Sequence, residues 1–305
     1  MSYSKKRIEY NNKWPDKIIE FPAENEFKNL MSEKGIVNIL RPIQLPIIED
    51  TQFQRLLSFI IDIYDQLPNR PDIAFDLAWR TFEAYSFYFR KTGGWSSKKT
   101  HIVLDKVCED ILINQVNNSN ELKNALENHL SAIPLQATEF LVKRIFQDDP
   151  DSLTSQQQRI TERVKNSLGE DLFLEIETKY KPLTADSQRN CGLFLQILMS
   201  GIEVEINGNK YSVSLINRIK FLINGILYSY RNERFHGDAF SPFKSSQTKI
   251  KTFAHSYYCL LSTYFFICQL IHQHFSSEVD LTQVASTLEE NTTRYKLIFG
   301  SHFKR

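Results

Sequence analysis

An all-α helical bundle carrying one small β-hairpin is the fold that this chain predicts. Apolar residues recur at intervals of three and four along most of its 305 residues, and one short segment alternates at intervals of two around Asn207-Gly208. Proline and glycine fall mostly between these segments, where they end one element and open the next.

The first 50 residues predict an irregular arm lying across the body, because Pro15, Pro22, Pro42 and Pro46 interrupt each short apolar run. From Phe53 the pattern turns helical: Phe53, Leu56, Leu57, Ile60, Ile61 and Tyr64 share one face, and Pro68 with Pro71 separates this helix from the next. The second helix, over 73–90, is apolar on most of its circumference and so belongs at the centre of a bundle. Arg80 and Glu83 on it form the simplest intrahelical pair. Gly93-Gly94 ends the unit, and helices are predicted at about 101–115, 119–131 and 135–147.

The acidic, proline-containing run Gln147-Asp148-Asp149-Pro150-Asp151-Ser152 reads as a linker or exposed loop, with Ser155 and Gln158 offering a capping box to the helix after it. A boundary there divides the chain into 1–150, an arm and helical region without a recognisable motif, and 151–305, a helical domain; a single domain is the alternative. Within the second half, 202–213 alternates apolar and polar residues about Asn207-Gly208, whose backbones must accept positive φ in a two-residue turn. That turn sets Glu205 opposite Lys210 and Val204 opposite Tyr211, an ion pair and an apolar pair. A helix follows from Ser214, its core-facing band made by Leu215, Ile216, Ile219, Leu222, Ile223, Ile226, Leu227 and Tyr230. Gly237 and Pro242 stop it, and a long helix over about 247–274 buries Ile250, Phe253, Tyr257, Leu261, Tyr264, Phe265, Cys268 and Ile271.

Composition narrows the function. Lysine plus arginine (37) nearly balances aspartate plus glutamate (36), so no global charge points to nucleic acid or membrane and any electrostatic footprint is local. Cys108, Cys191, Cys259 and Cys268 are far apart in apolar surroundings and read as buried free thiols. The chain shows no apolar core of signal-peptide length and no run of about 18 apolar residues, which predicts a cytoplasmic protein without a membrane partner. Glycine-rich phosphate loops, G-x-S-x-G and H-E-x-x-H are absent from the sequence. His272, His274 and Cys268 do not make a metal site, because residues two apart on a helix point about 200° apart. No cofactor is expected.

The segment that proposes chemistry is Arg231-Asn232-Glu233-Arg234-Phe235-His236-Gly237. An imidazole titrates near neutrality and moves protons, and a guanidinium clamps two phosphate oxygens at once. Spacing alone is weak, since with 15 arginines and seven histidines about one R-x(4–6)-H match arises by chance. Context adds weight: Asn232 after the arginine, Phe235 before the histidine, Gly237 after it, and helices on both sides.

On these residues the chain resembles the HEPN superfamily over about 185–275. The resemblance implies a metal-independent endoribonuclease that cleaves single-stranded RNA to a 2',3'-cyclic phosphate, in the setting of a toxin or antiviral defence effector. It assigns catalysis to Arg231 and His236, with Asn232 orienting them. One imidazole serves either proton transfer, so a homodimer with a composite cleft is implied, with an antitoxin or regulatory partner. Five positions on an ideal helix separate Arg231 and His236 by about 140°, so either the helix ends between them or a second copy completes the site. Asp238 stands where some HEPN toxins carry a tyrosine that a nucleotidyltransferase antitoxin modifies, so pairing of that type is not expected.

Between Asn207 and His255 lie eight basic residues against two acids, an excess from which Arg234, Lys244 and Lys249 are expected to contact RNA. Tyr228, Tyr230, Phe235 and Phe240 would offer stacking surfaces. The plain structural alternatives are a carboxylate partner for Arg231, a helix-end role for His236, core positions for the aromatics, and solvated lysines. A different class of function, a HEPN-like domain that binds RNA or protein or oligomerises without cleaving, stands beside the nuclease.

Overall fold

Two prolines of the N-terminal segment, Pro15 and Pro22, bound helices there instead of preventing them. In the computed structural model, which describes residues 2–96, 99–146, 155–236 and 241–302 (backbone alone for 155, 156, 236 and 302), α1 spans Tyr3–Lys13 and α2 spans Pro22–Glu33. Pro22 occupies the first helical position, where its missing N–H would have had no partner in any case, and the Glu24 carboxylate accepts the Phe21 N–H at 2.7 Å. Besides the short link 14–21, the stretch 34–50 is irregular as expected. It straps across the body: Ile39, Leu40 and Ile43 are buried, and the Ile43 N–H donates to the Tyr264 hydroxyl at 3.0 Å.

The remaining helices are α3 (Thr51–Asp65), α4 (Pro71–Thr92), α5 (Thr100–Val107), α6 (Asn114–Asn118), α7 (Asn120–Leu130), α8 (Leu135–Phe146), α9 (Ser155–Leu168), α10 (Glu170–Tyr180), α11 (Ala185–Met199), α12 (Leu215–Lys220), α13 (Tyr228–His236), α14 (Ile250–His274) and α15 (Leu281–Phe299). π-helical stretches, Cys108–Ile113 and Phe221–Leu227, join α5 to α6 and α12 to α13. The fold is therefore an all-α bundle. Polar caps start several elements: Asp50, Ser119, Ser214 and Asp280 each accept the N–H three residues on, which satisfies a donor the helix cannot. The Ser155 side chain, on which the capping role rests, and the linker 147–152 lie outside the described residues.

The two-stranded sheet has the register that the Asn-Gly turn requires. β1 (Val204–Ile206) and β2 (Asn209–Tyr211) pair Val204 with Tyr211 and Glu205 with Lys210, with φ of 52° at Asn207 and 83° at Gly208. The expected ion pair does not follow: Lys210 turns to Glu203 at 3.3 Å, a neighbour equally exposed to solvent.

α14 is the axis of the core, buried on every face from Phe253 to Ile271, and α4 packs along it through Phe82 and its neighbours. Buried side chains form one continuous cluster from Ala23 to Phe299, on both sides of residue 150. All four cysteines are buried free thiols, and burial pushes Cys108, Cys191 and Cys268 up to about 12. Gly225 lets the second π stretch close on α8 and α9, since a Cβ there would meet Leu141 at 3.2 Å and Val164 at 3.3 Å. That close approach sets the position of α13. Among the described residues no helix is long and apolar enough to cross a membrane.

Candidate functional site

α13 lies against α4, and three acids of α4 meet its two arginines. Glu83 is one of them, and it does not pair with Arg80, which is exposed. The Glu83 carboxylate accepts the Trp79 indole N–H at 2.8 Å and stands 3.8 Å from Arg231. The other side of the Arg231 guanidinium donates to the Asn232 side-chain oxygen at 3.1 Å, and Phe235 stacks on it at 4.6 Å from the ring centroid. Asn232 is buried while Arg231 is about one-quarter exposed, so a fixed amide orients a guanidinium that reaches solvent. The Arg231 Nε is buried without a hydrogen-bond partner, and the exposed part of the guanidinium is what faces solvent.

One turn further on, Arg234 is in a different environment. Its Nε and Nη2 donate to the two Asp76 oxygens at 2.7 and 2.6 Å, and Nη2 also meets Asp72 at 3.2 Å. Asp72, fully buried in the first turn of α4, is held from its other side by Arg70 at 2.9 and 2.8 Å. Burial pulls the Arg234 guanidinium towards neutrality, but the Asp76 hydrogen bond and the nearby carboxylates outweigh this and hold it more firmly protonated than a free arginine. Two carboxylates thus occupy the Nε and Nη2 donors of Arg234 and give it a structural role between α13 and α4.

Lys244 is similarly engaged. Its ammonium donates to Glu24 at 2.6 Å above the ring of Phe21. Lys249 precedes α14 and is exposed, its N–H donating to the Thr252 hydroxyl at 3.2 Å. Of the other basic residues in the window, Lys210, Arg218 and Lys220 pair with Glu203, Glu127 and Glu109. The positive excess counted along the chain is largely neutralised by acids from other elements. Tyr230 is no stacking platform either: it is buried between Phe75 and His255 and shares a 2.7 Å hydrogen bond with Ser256. Phe235 remains exposed, and Phe240, Gly237, Asp238 and the His236 side chain lie outside the described residues; the backbone of His236 closes α13.

Two groups near this site give no signal in the sequence. Arg144 of α8 pairs with Glu233 at 3.2 Å, and Arg163 of α9 stacks over Tyr228. Neither is close to the motif in sequence, and only the packing of α8 and α9 brings them to α13. His272 and His274, excluded as metal ligands by their spacing, bond to the Val279 carbonyl at 2.7 Å and the Tyr88 hydroxyl at 2.9 Å.

Comparison with family models, with curated proteins and with solved structures found no match to this chain. Function is therefore read from the residues of the site itself.

Proposed function

We propose that the protein is a metal-independent endoribonuclease of HEPN type acting on single-stranded RNA. The observation that carries this is the Arg231–Asn232 pair: a buried amide holds a partly exposed guanidinium, just before the motif histidine on the same helix. In the reaction the RNA 2'-hydroxyl loses its proton to a base and attacks phosphorus. The new O2'–P bond closes the 2',3'-cyclic phosphate as the P–O5' bond breaks, and an acid protonates the departing 5'-oxygen. Arg231 takes the non-bridging oxygens as their charge grows, Asn232 keeps its plane fixed, and His236 moves one of the protons. A homodimer bringing two copies of α13 to one cleft supplies the second imidazole. The role as a toxin or antiviral effector, with an antitoxin or regulatory partner and a cytoplasmic location, is proposed from the motif resemblance alone.

The test is cleavage of labelled RNA in EDTA by wild type, Arg231→Ala and His236→Ala. Wild type should cleave, and each variant should lose about 100-fold or more in rate, the scale for removing a charge-stabilising or proton-transfer group. Equal cleavage by all three proteins would assign the activity to a contaminant.

A second reading has its own support. Glu83 stands 3.8 Å from Arg231, as a carboxylate partner would in a domain that binds or oligomerises without cleaving. Tight RNA or protein binding with no cleavage would favour it.

A further inference from the structure

Arg163, outside the motif, presents an unused guanidinium beside it. Its central carbon lies 4.2 Å from the ring centroid of Tyr228, so the plane is held by stacking. Its Nη1 is buried without a hydrogen-bond partner, and no carboxylate pairs with it among the described residues. That contrasts with Arg234, whose Nε and Nη2 are engaged by carboxylates of α4. Arg159, one turn earlier on α9, is exposed and shares the same helix face. His101, in the first turn of α5, feels the charge of both. Its pKa is lowered, by burial first and then by the charge of Arg163, with Lys99 and Arg159 adding and Asp105 opposing. Asp105, one turn further along α5, is engaged by the Asn224 amide at 3.0 Å.

The cluster is continuous with the candidate site. Tyr228, which carries Arg163 on one side, meets the Trp79 ring edge-on at 6.1 Å. Trp79 donates to Glu83, and Glu83 lies beside Arg231. We infer that this face of α5 and α9 is the track along which the sugar–phosphate backbone of single-stranded RNA reaches Arg231, with Arg163 and Arg159 taking its phosphates. The inference rests on the nuclease reading for its ligand. A partly exposed planar guanidinium, fixed by an aromatic ring and without a carboxylate partner among the described residues, is suited to phosphate oxygens. It replaces the phosphate partners that the chain-local charge had assigned to Arg234 and Lys244.

The test is fluorescence anisotropy of a 2'-O-methyl oligouridylate, which binds but offers no 2'-hydroxyl nucleophile, titrated with the full chain in EDTA over a salt series. Arg159→Glu should weaken binding about tenfold, and Arg163→Lys, which keeps the charge but loses stack and fork, by a few-fold. The slope of log K against log salt should become shallower by about 0.7 for each phosphate that the protein no longer neutralises. Arg159 is exposed, so its variant should melt as wild type does, which keeps the test valid if Arg163→Lys folds poorly. Wild-type affinity and slope in both variants, or no binding by wild type, overturn the track. If wild type cleaves ordinary RNA while both variants bind normally, the track fails and the nuclease stands. If binding depends on Arg159 but nothing is cleaved, the track stands and the nuclease fails.

Discussion

Arg231 and Arg234 are one turn apart on α13, both facing α4, yet the structure uses them oppositely. Arg234 is about one-eighth exposed, bidentate to Asp76 and bonded to a fully buried Asp72 that Arg70 also holds. Arg231 is about one-quarter exposed, has a single loose carboxylate neighbour and is oriented by an uncharged amide. The difference comes from α4. Asp72 and Asp76 are four residues apart and so present both carboxylates to one guanidinium, whereas Glu83 stands alone and shares its oxygen with Trp79. Held by two carboxylates, an arginine fixes how two helices meet. Left partly unsatisfied at the surface, it is available for chemistry.

The largest expected effect lies at Arg234. Arg234→Met leaves Asp72 and Asp76 with Arg70 as their only cationic neighbour in the network, and breaking a buried charge pair from one side costs about 3–5 kcal/mol. Urea denaturation should show that loss, with Arg231→Ala costing less than about 1 kcal/mol. Similar losses for the two variants would mean that both arginines are structural.

A second effect belongs to His255, which lies between Tyr230 and Phe140 with its Nε2 unpartnered. Burial, and then the charge of Arg234, pull its pKa down from 6.5 to about 3. The unfolded chain therefore binds the proton first as pH falls. The stability of the neutral form is full above about 6.5 and is lost towards about 3, by up to about 1.4 kcal/mol per pH unit. His129, fully buried and bonded to Ser262 and Thr292, adds the same sign. His255→Phe should flatten the acid limb of stability against pH without loss at neutral pH. An unchanged limb would mean that the imidazole is not held neutral.

Much of this architecture is legible as periodicity. The hairpin register follows from Asn207-Gly208, and the helices over 53–65, 73–90, 135–146 and 250–274 follow from their apolar stripes. α1 and α2 are hidden in the sequence because a proline at a helix boundary looks the same as a proline that breaks a helix. α15 goes unpredicted although Asp280 caps it and Val284, Leu288, Tyr295 and Phe299 repeat on its buried side. The site is legible only as a set of groups. Sequence shows that Arg234, Lys244 and Lys220 are basic, but their partners Asp76, Glu24 and Glu109 come from helices more than 100 residues away. Charge balance along a chain is not charge balance in space. Arg163 reaches the site by the reverse route, from a helix without a motif.

The smallest effect is the most discriminating. Glu83→Gln keeps an oxygen for the Trp79 N–H and removes the negative charge beside Arg231. Both partners are partly solvated, so the ion pair contributes little and stability should change by less than about 1 kcal/mol. Freed of a competing carboxylate, Arg231 should hold phosphate more tightly, and oligonucleotide affinity at low salt should rise a few-fold, an increase that Arg231→Ala should abolish in the double variant. A loss above about 2 kcal/mol would instead make Glu83–Arg231 a structural pair like that of Arg234, and would move the balance from nuclease to binding module. Tighter binding without faster cleavage would place Arg231 in substrate capture and leave the bond-breaking step to His236.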